Sequence, residues 1–442
     1  MRISININDA EVPERLRQVF AIVPENVWHR RAAALADRER HSPHLSDDFD
    51  ERYTIERYLD RALAHWSQEG RLPSVGGPDG GRYFHLYSFI HVLSWVYPYL
   101  SAKGQTRVRG YLMDGLQSEV GLAAFAHELA VAAHLSRAGF DVEFTDIEDR
   151  ARFDLLAQKE DIRLEVDCKT ASGDVGRKIH RRRAIELFSR IQPNILETFS
   201  KPAVGRILDI VLPGPLRGAD MNAVASVISN AIVRNESLSI AEIADVSLGE
   251  FQIDDEPTLV TKGPTSEAIE RIAERLGRKN KHLIWVGEPE RQAAVVAIVS
   301  SREPDTVGDG IYRALKKSAE GQFSGTNPAL LAANLLDLTP GQLKELASGP
   351  SVLAEIASRL FLGGRREHLF GVAFVSLADA PTKDVYGTAL SGRGTALFFR
   401  RAGHPLSQDP RLDLFKRPHQ IDQPILDRLP FWTARVGGAS LA

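Results

Sequence analysis

The segment at 163–170, RLEVDCKT, carries two acids and a lysine within five residues. Read as a β-strand, its side chains alternate with period two. Leu164, Val166 and Cys168 then share one face, and Glu165, Asp167 and Lys169 share the other. The preceding stretch, RFDLLA, reads as a second strand that sets Asp154 between Phe153 and Leu155. A two-residue turn at Glu160 and Asp161 pairs position 154 with 167, and a turn one register earlier pairs it with 165. Either even register brings Asp154 onto the acidic face, whereas an odd one sends it to the opposite face. Upstream, a helix expected over 117–137 and ended by Gly139 has a stripe of Gly121, Ala124, Phe125, Glu128, Val131, Ala132 and Leu135, apolar apart from Glu128. A carboxylate there is costly unless paired, and a metal ion or Lys169 would be a suitable partner.

Converging carboxylates make a hard oxygen site of the kind Mg2+ or Mn2+ prefers, with water completing the shell. Such an ion polarises a phosphoryl oxygen, lowers the pKa of bound water and stabilises a leaving alkoxide. A neighbouring lysine positions that water and neutralises charge building in the transition state. Phosphodiester hydrolysis is the natural reaction class.

The series Glu128, Asp154, Asp167-Cys168-Lys169 runs through an expected order of helix, three strands, helix and strand. It resembles the PD-(D/E)XK nuclease superfamily, the restriction-endonuclease-like fold, over about 115–212. The resemblance implies an αβββαβ core in which Asp154 and Asp167 bind Mg2+ or Mn2+ and Cys168 lends its main-chain carbonyl. It further implies that Lys169 serves the attacking water and that Glu128 is the helical acid. Phe153 stands where the motif's name has proline, the second acid is Asp, and Glu165 takes the ligand role if the register differs. The plainer alternative is an ion-pair ladder of Asp154, Glu165, Asp167 and Lys169 on a half-solvated sheet.

A basic helix expected over 177–199 follows, with six Lys or Arg and one Glu between Arg177 and Arg190, a local +5 in a chain of −3. Arg177, Lys178, Arg181 and Arg182 are the expected contacts to a phosphate backbone, and a solvated helix face is the alternative. His127 and His134, or His41 and His44, lack the companions of a metal motif. Cys168 reads as a small buried hydrophobe. No Walker A loop or nucleophile elbow is present, and the Gly-rich SVGGPDGGR lacks the ending of a phosphate cradle.

Around these residues the fold class reads as α/β. A helical N-terminal region spans 1–110, the nuclease-like core 111–215, a second α/β region 216–410 and an extended arm 411–442. The chain has 442 residues, 43% apolar and 26% charged, which suits a globular protein of two or three domains. One cysteine excludes a disulfide framework and fits a reducing compartment, and the N-terminus reads as lacking a signal peptide. The apolar stretch at 84–102 has the length of a membrane span, but its His, Ser and Pro residues favour a buried aromatic helix. A cytoplasmic, metal-dependent endonuclease acting on DNA is expected, in restriction, phage defence or repair, with a homodimer and a partner protein as further expectations. The alternatives are an inactive nuclease-fold protein that binds nucleic acid or scaffolds a complex, and an RNA-directed nuclease.

Overall fold

The computed structural model describes residues 1, 3, 11–41, 49–50, 52–75, 79–119, 121–198, 204–252, 282–288, 293–336, 338, 343, 346, 351–364, 366–376, 381–383, 389–391, 395–407, 409–412, 414 and 433–435. The elements begin with helices α1 (Val12–Ile22), α2 (Glu25–His41), α3 (Thr54–Glu69), α4 (Gly80–Val96), α5 (Ala102–Gln117) and α6 (Ala123–Arg137). Strands β1 (Asp141–Phe144), β2 (Leu155–Lys159) and β3 (Ile162–Ser172) follow, then α7 (Arg181–Thr198), β4 (Val204–Leu212) and α8 (Met221–Arg234). Next come β5 (Leu238–Ile240), β6 (Ala244–Gln252), β7 (His282–Glu288), β8 (Ala293–Ser301), α9 (Val307–Gly321), β9 (Ala329–Leu336) and α10 (Val352–Leu362). The described elements end with β10 (Leu369–Ser376), β11 (Pro381–Lys383), β12 (Ala389–Ser391), β13 (Thr395–Arg400) and β14 (Thr433–Arg435).

The mixture is α/β, divided into two compact units. The first comprises Met1–His41, Ser46–Gly173 and everything from Gly308 onward, and the second contains Asp174–Val307. In the first unit a seven-stranded sheet runs in the order β1-β2-β3-β9-β10-β13-β14. Its β1, β2 and β3 are antiparallel neighbours, and β3, β9 and β10 are parallel. The second unit has a five-stranded sheet, β5-β6-β4-β8-β7, whose core gathers Leu187, Phe188 and Ile191 of α7, Ile228 of α8 and Ile210 of β4.

This arrangement corrects the expected run of consecutive core elements. The helix and strand that follow β3 in sequence, α7 and β4, belong to the second sheet. The partner of β3 is β9, paired in parallel from Glu165–Ala329 to Ser172–Leu336, with α9 between them in sequence. The reason lies in burial. A central parallel strand is covered on both faces and needs a near-continuous apolar run. ALLAANLL supplies one, buried along all but its last residue.

The helical first hundred residues share one core with this sheet. Leu16, Tyr58, Leu86, Phe89 and Leu93 pack in the same cluster as Leu164, Val166 and Leu330. Of the aromatic stretch at 84–102, residues 84–96 lie in α4 and are largely buried there, whereas Tyr97–Tyr99 form a tight turn with Tyr99 66% exposed, and among the described residues no helix is long and apolar enough to cross a membrane. The helix expected over 117–137 is α6, which starts only at Ala123, after α5 has ended at Gln117. Gly121 takes φ +73, its N–H donating to Ser118 Oγ, so α5 stops and α6 starts at Ala123. At the other end Gly139, φ +92, closes α6 as expected, with Phe140 N–H bonded to Leu135 O and Gly139 N–H to Ser136 O. Nearly all of the C-terminal arm lies outside the described residues.

Candidate active site

The β2–β3 hairpin sets the site. Lys159 pairs with Ile162 across the two-residue turn, whose Glu160 has φ +54, and Leu155 pairs with Val166. One step further the same register carries Asp154 opposite Asp167, so both carboxylates leave the sheet on one face. Asp154 sits just before β2, where the ladder opens. Its Oδ2 accepts the Cys168 N–H at 2.6 Å, and its main-chain oxygen accepts from Thr145 N–H at 2.8 Å. Thr145 also donates its hydroxyl to Phe153 O, tying off the loop that delivers Asp154.

Asp167 is 0% exposed, which excludes a solvated ion-pair ladder as its setting. Its Oδ1 accepts from Lys169 Nζ at 3.1 Å, and its Oδ2 has no hydrogen-bond partner among the described residues. The Lys169 side chain remains 32% exposed, so the ammonium joins a buried acid to solvent. Cys168 is free and packs against the core, and burial pushes its thiol well above the ordinary range, so it is no nucleophile.

Glu128 lies on α6 with Oε1 buried and without a partner among the described residues. Burial first, then the charges of Asp154 and Asp146, push its carboxyl well above the usual range. Burial and the Asp167 charge push Asp154 up to about 7, and burial raises Asp167 against the pull of Lys169. Burial alone would lower Lys169, but Asp167 and Asp154 hold it above its ordinary value. These are acids crowded into low dielectric with one ammonium among them.

Glu165, the other ligand that the sequence allows, is engaged elsewhere. It is 1% exposed and accepts from Ser324 N–H at 2.8 Å and Asn327 Nδ2 at 2.9 Å, with the Ser324 hydroxyl on its second side. It clamps the turn before β9.

Asp146 is an acid that the sequence reading passed over. Its charge raises Glu128, Asp154 and Asp167 alike. Tyr111 donates to its Oδ2 at 2.6 Å and Arg107 to its Oδ1 at 3.4 Å, both from α5. Position 146 falls in a loop, where neither strand alternation nor helix stripe marks a residue.

The basic residues are in the second unit, and two of them lie ahead of the helix: α7 starts at Arg181, so Arg177 and Lys178 belong to the preceding turn. The segment 173–180 holds no helix because Asp174 caps α7, taking the Arg181 N–H, and keeps the chain turned before it. Arg177 pairs with Asp174 at 3.6 Å and Lys178 with Glu303 at 2.7 Å. Arg183 and Arg190 both pair with Glu186 at 2.7 Å. Glu186 is already counted in the local +5, so Asp174 and Glu303 offset two of those charges and leave +3. Arg182 opens α7 beside Arg181.

The donors suit a divalent ion. Among the described residues no three His, Cys, Asp or Glu side chains form a metal cage by themselves. Two carboxylates and a carbonyl, with water for the remainder, are a donor set that Mg2+ accepts. A cation would also relieve the crowding of Asp154, Asp167 and Glu128 and serve the lone Oδ2 of Asp167.

The raised Asp154 pKa gives a stability test. A carboxyl raised from 3.8 to about 7 favours its protonated form in the folded chain. Its contribution is complete below the ordinary value and is lost as pH rises through about 7. Metal-free Asp154→Asn protein is therefore expected to lose less melting temperature than wild type between about pH 5 and pH 8. His127, lowered to about 4 by burial, contributes with the opposite sign but equally in both proteins. Parallel melting curves would show that Asp154 does not carry this strain.

Comparison with known protein families, with characterised proteins and with solved structures gives no match to this chain.

Proposed function

We propose that this protein is a divalent-metal-dependent nuclease of the PD-(D/E)XK kind, acting on DNA. The observation that supports it is the register: a buried Asp167 and a half-buried Asp154 meet on one face, with Lys169 bonded to Asp167 and Glu128 close enough to feel their charges. The order α6-β1-β2-β3-α9-β9 supports this reading, since a helix, three strands, a helix and a strand follow one another, interrupted by residues 174–307.

Asp154, Asp167 and the Cys168 carbonyl would hold Mg2+ or Mn2+, which supplies Lewis acidity toward a phosphodiester and a more acidic bound water. Asp154 is fixed for this task by the Cys168 N–H, which orients its carboxylate along the strand end. Lys169, charged because Asp167 and Asp154 raise its pKa, donates to the attacking water or a phosphate oxygen. Glu128, protonated more readily than an ordinary glutamate, can accept or return a proton at Oε1. A context in restriction or phage defence, an intracellular setting and a dimer for cutting both strands extend this proposal.

The test is incubation of the full chain with labelled duplex DNA, single-stranded DNA and RNA, in Mg2+, Mn2+ and EDTA. Cleavage of DNA that EDTA abolishes is the expected result. Metal-dependent cleavage of RNA alone would move the substrate class. Tight, salt-sensitive binding with no turnover in either metal would replace the enzyme with a binding module.

A further inference from the structure

Asn334 lies on β9 directly opposite Thr170 of β3, one residue beyond the Lys169–Ala333 pair. Its side chain sits in a residue 1% exposed, yet neither Oδ1 nor Nδ2 has a hydrogen-bond partner among the described residues. Thr170 Oγ1 is likewise buried and unpartnered. Alternation places Thr170 on the Val166 and Cys168 face of β3, and Asn334 on the Leu330 and Ala332 face of β9. These apolar neighbours share a core with Leu129, Ala132 and Leu135 of α6. His127 Nε2 meets Ala332 O at 3.1 Å, two residues before Asn334, and the next residue on α6 is Glu128, with its own unpartnered Oε1.

Four buried polar atoms without partners among the described residues therefore come from α6 and from the sheet face whose apolar residues share its core. Leaving an amide, a hydroxyl and a carboxyl all dry is unfavourable. A buried water needs two to four polar partners, and this set provides donors at Nδ2 and Oγ1 and acceptors at Oδ1 and Oε1.

We propose that Asn334, Thr170 and Glu128 hold a buried water cluster beneath α6, and that Asn334 is a positioning residue that fixes the Glu128 carboxyl through it. The inference rests on Glu128 being the helical acid of the proposed nuclease site. It adds to that site a strand-borne amide, distant in sequence, whose role is to set the orientation of an acid that no group among the described residues holds at Oε1.

The test is Mn2+ binding to the full chain by calorimetry, for wild type, Asn334→Leu, Asn334→Ser, Thr170→Val, Glu128→Gln, the Glu128→Gln/Asn334→Leu double variant and Asp154→Asn, with thermal melting as a check on folding. Loss of such an outer partner costs metal affinity about 10-fold or more, so Asn334→Leu is expected to weaken Mn2+ binding to that degree. Asn334→Ser, which still holds water, should stay closer to wild type. The double variant should bind no more weakly than Glu128→Gln alone, because both remove one arrangement. A merely structural amide would lower the melting temperature of Asn334→Leu and leave Mn2+ affinity unchanged, which overturns the inference. So does full additivity in the double variant. If wild type binds no more Mn2+ than Asp154→Asn, the nuclease reading itself falls, and this inference with it.

Discussion

Lys169→Ala lowers the rate of metal-dependent phosphodiester cleavage by about 10²–10⁴-fold, the range lost with a positioned proton donor or charge-stabilising group. The expectation follows from where the ammonium stands. It is the cation bonded to Asp167, it feels Asp154 and Glu128, and its side chain still reaches solvent. Removing it leaves Asp167 fully buried without the charge that is hydrogen-bonded to it among the described residues, so the variant also melts lower in EDTA, and Mg2+ recovers part of that loss by neutralising the same carboxylate. A structural ion pair would yield the melting effect alone. The two readouts are single-turnover cleavage in saturating Mg2+ and melting with and without the ion. Cleavage at the wild-type rate would remove Lys169 from the mechanism.

The hairpin was legible because its rules are local. A polar two-residue turn fixes the register, and the register decides whether Asp154 and Asp167 share a face. Gly139 was legible for the same reason, since only the backbone next to it had to be read. What escaped depends on partners far along the chain. The break between α5 and α6 hides inside an apolar periodicity that continues through it. Asp146 sits in a loop, and Asn334 is one polar letter inside an apolar strand, so neither shows a pattern. The acid that pairs with the Lys178 ammonium stands at Glu303, and Asp305 takes the Lys178 main-chain N–H, both across the whole second unit. A charge count over a short window cannot include them. Most of all, nothing within IRLEVDCKTAS says that its parallel neighbour begins at Ala329.

That long-range pairing carries the second large effect. A chain ending at residue 215 contains every element that sequence order assigns to the nuclease-like core, and it lacks β9. Leu330, Leu331 and Leu335 of that strand are each at most 1% exposed. Burial of such a side chain stabilises by about 1.5–3 kcal/mol, so these three account for about 5–9 kcal/mol, comparable with the whole stability of a typical domain. The truncation also opens eight ladder positions along β3, an apolar edge prone to pairing with other chains. The 1–215 chain is therefore expected to be insoluble or to show no cooperative melting transition. Replacing 174–307 by a flexible Gly/Ser linker of about a dozen residues has the opposite outcome, because β3, α9 and β9 remain and a β-α-β connection ordinarily needs only a short loop. That protein is expected to melt cooperatively and to keep the Mn2+ affinity of the full chain, since Glu128, Asp154, Asp167, Lys169 and Asn334 all belong to the first unit. Circular dichroism melts and calorimetry of the two proteins decide the matter. A folded 1–215 chain would mean that β3 does not depend on β9, and an unfolded linker protein would mean that the second unit is required for the first to form.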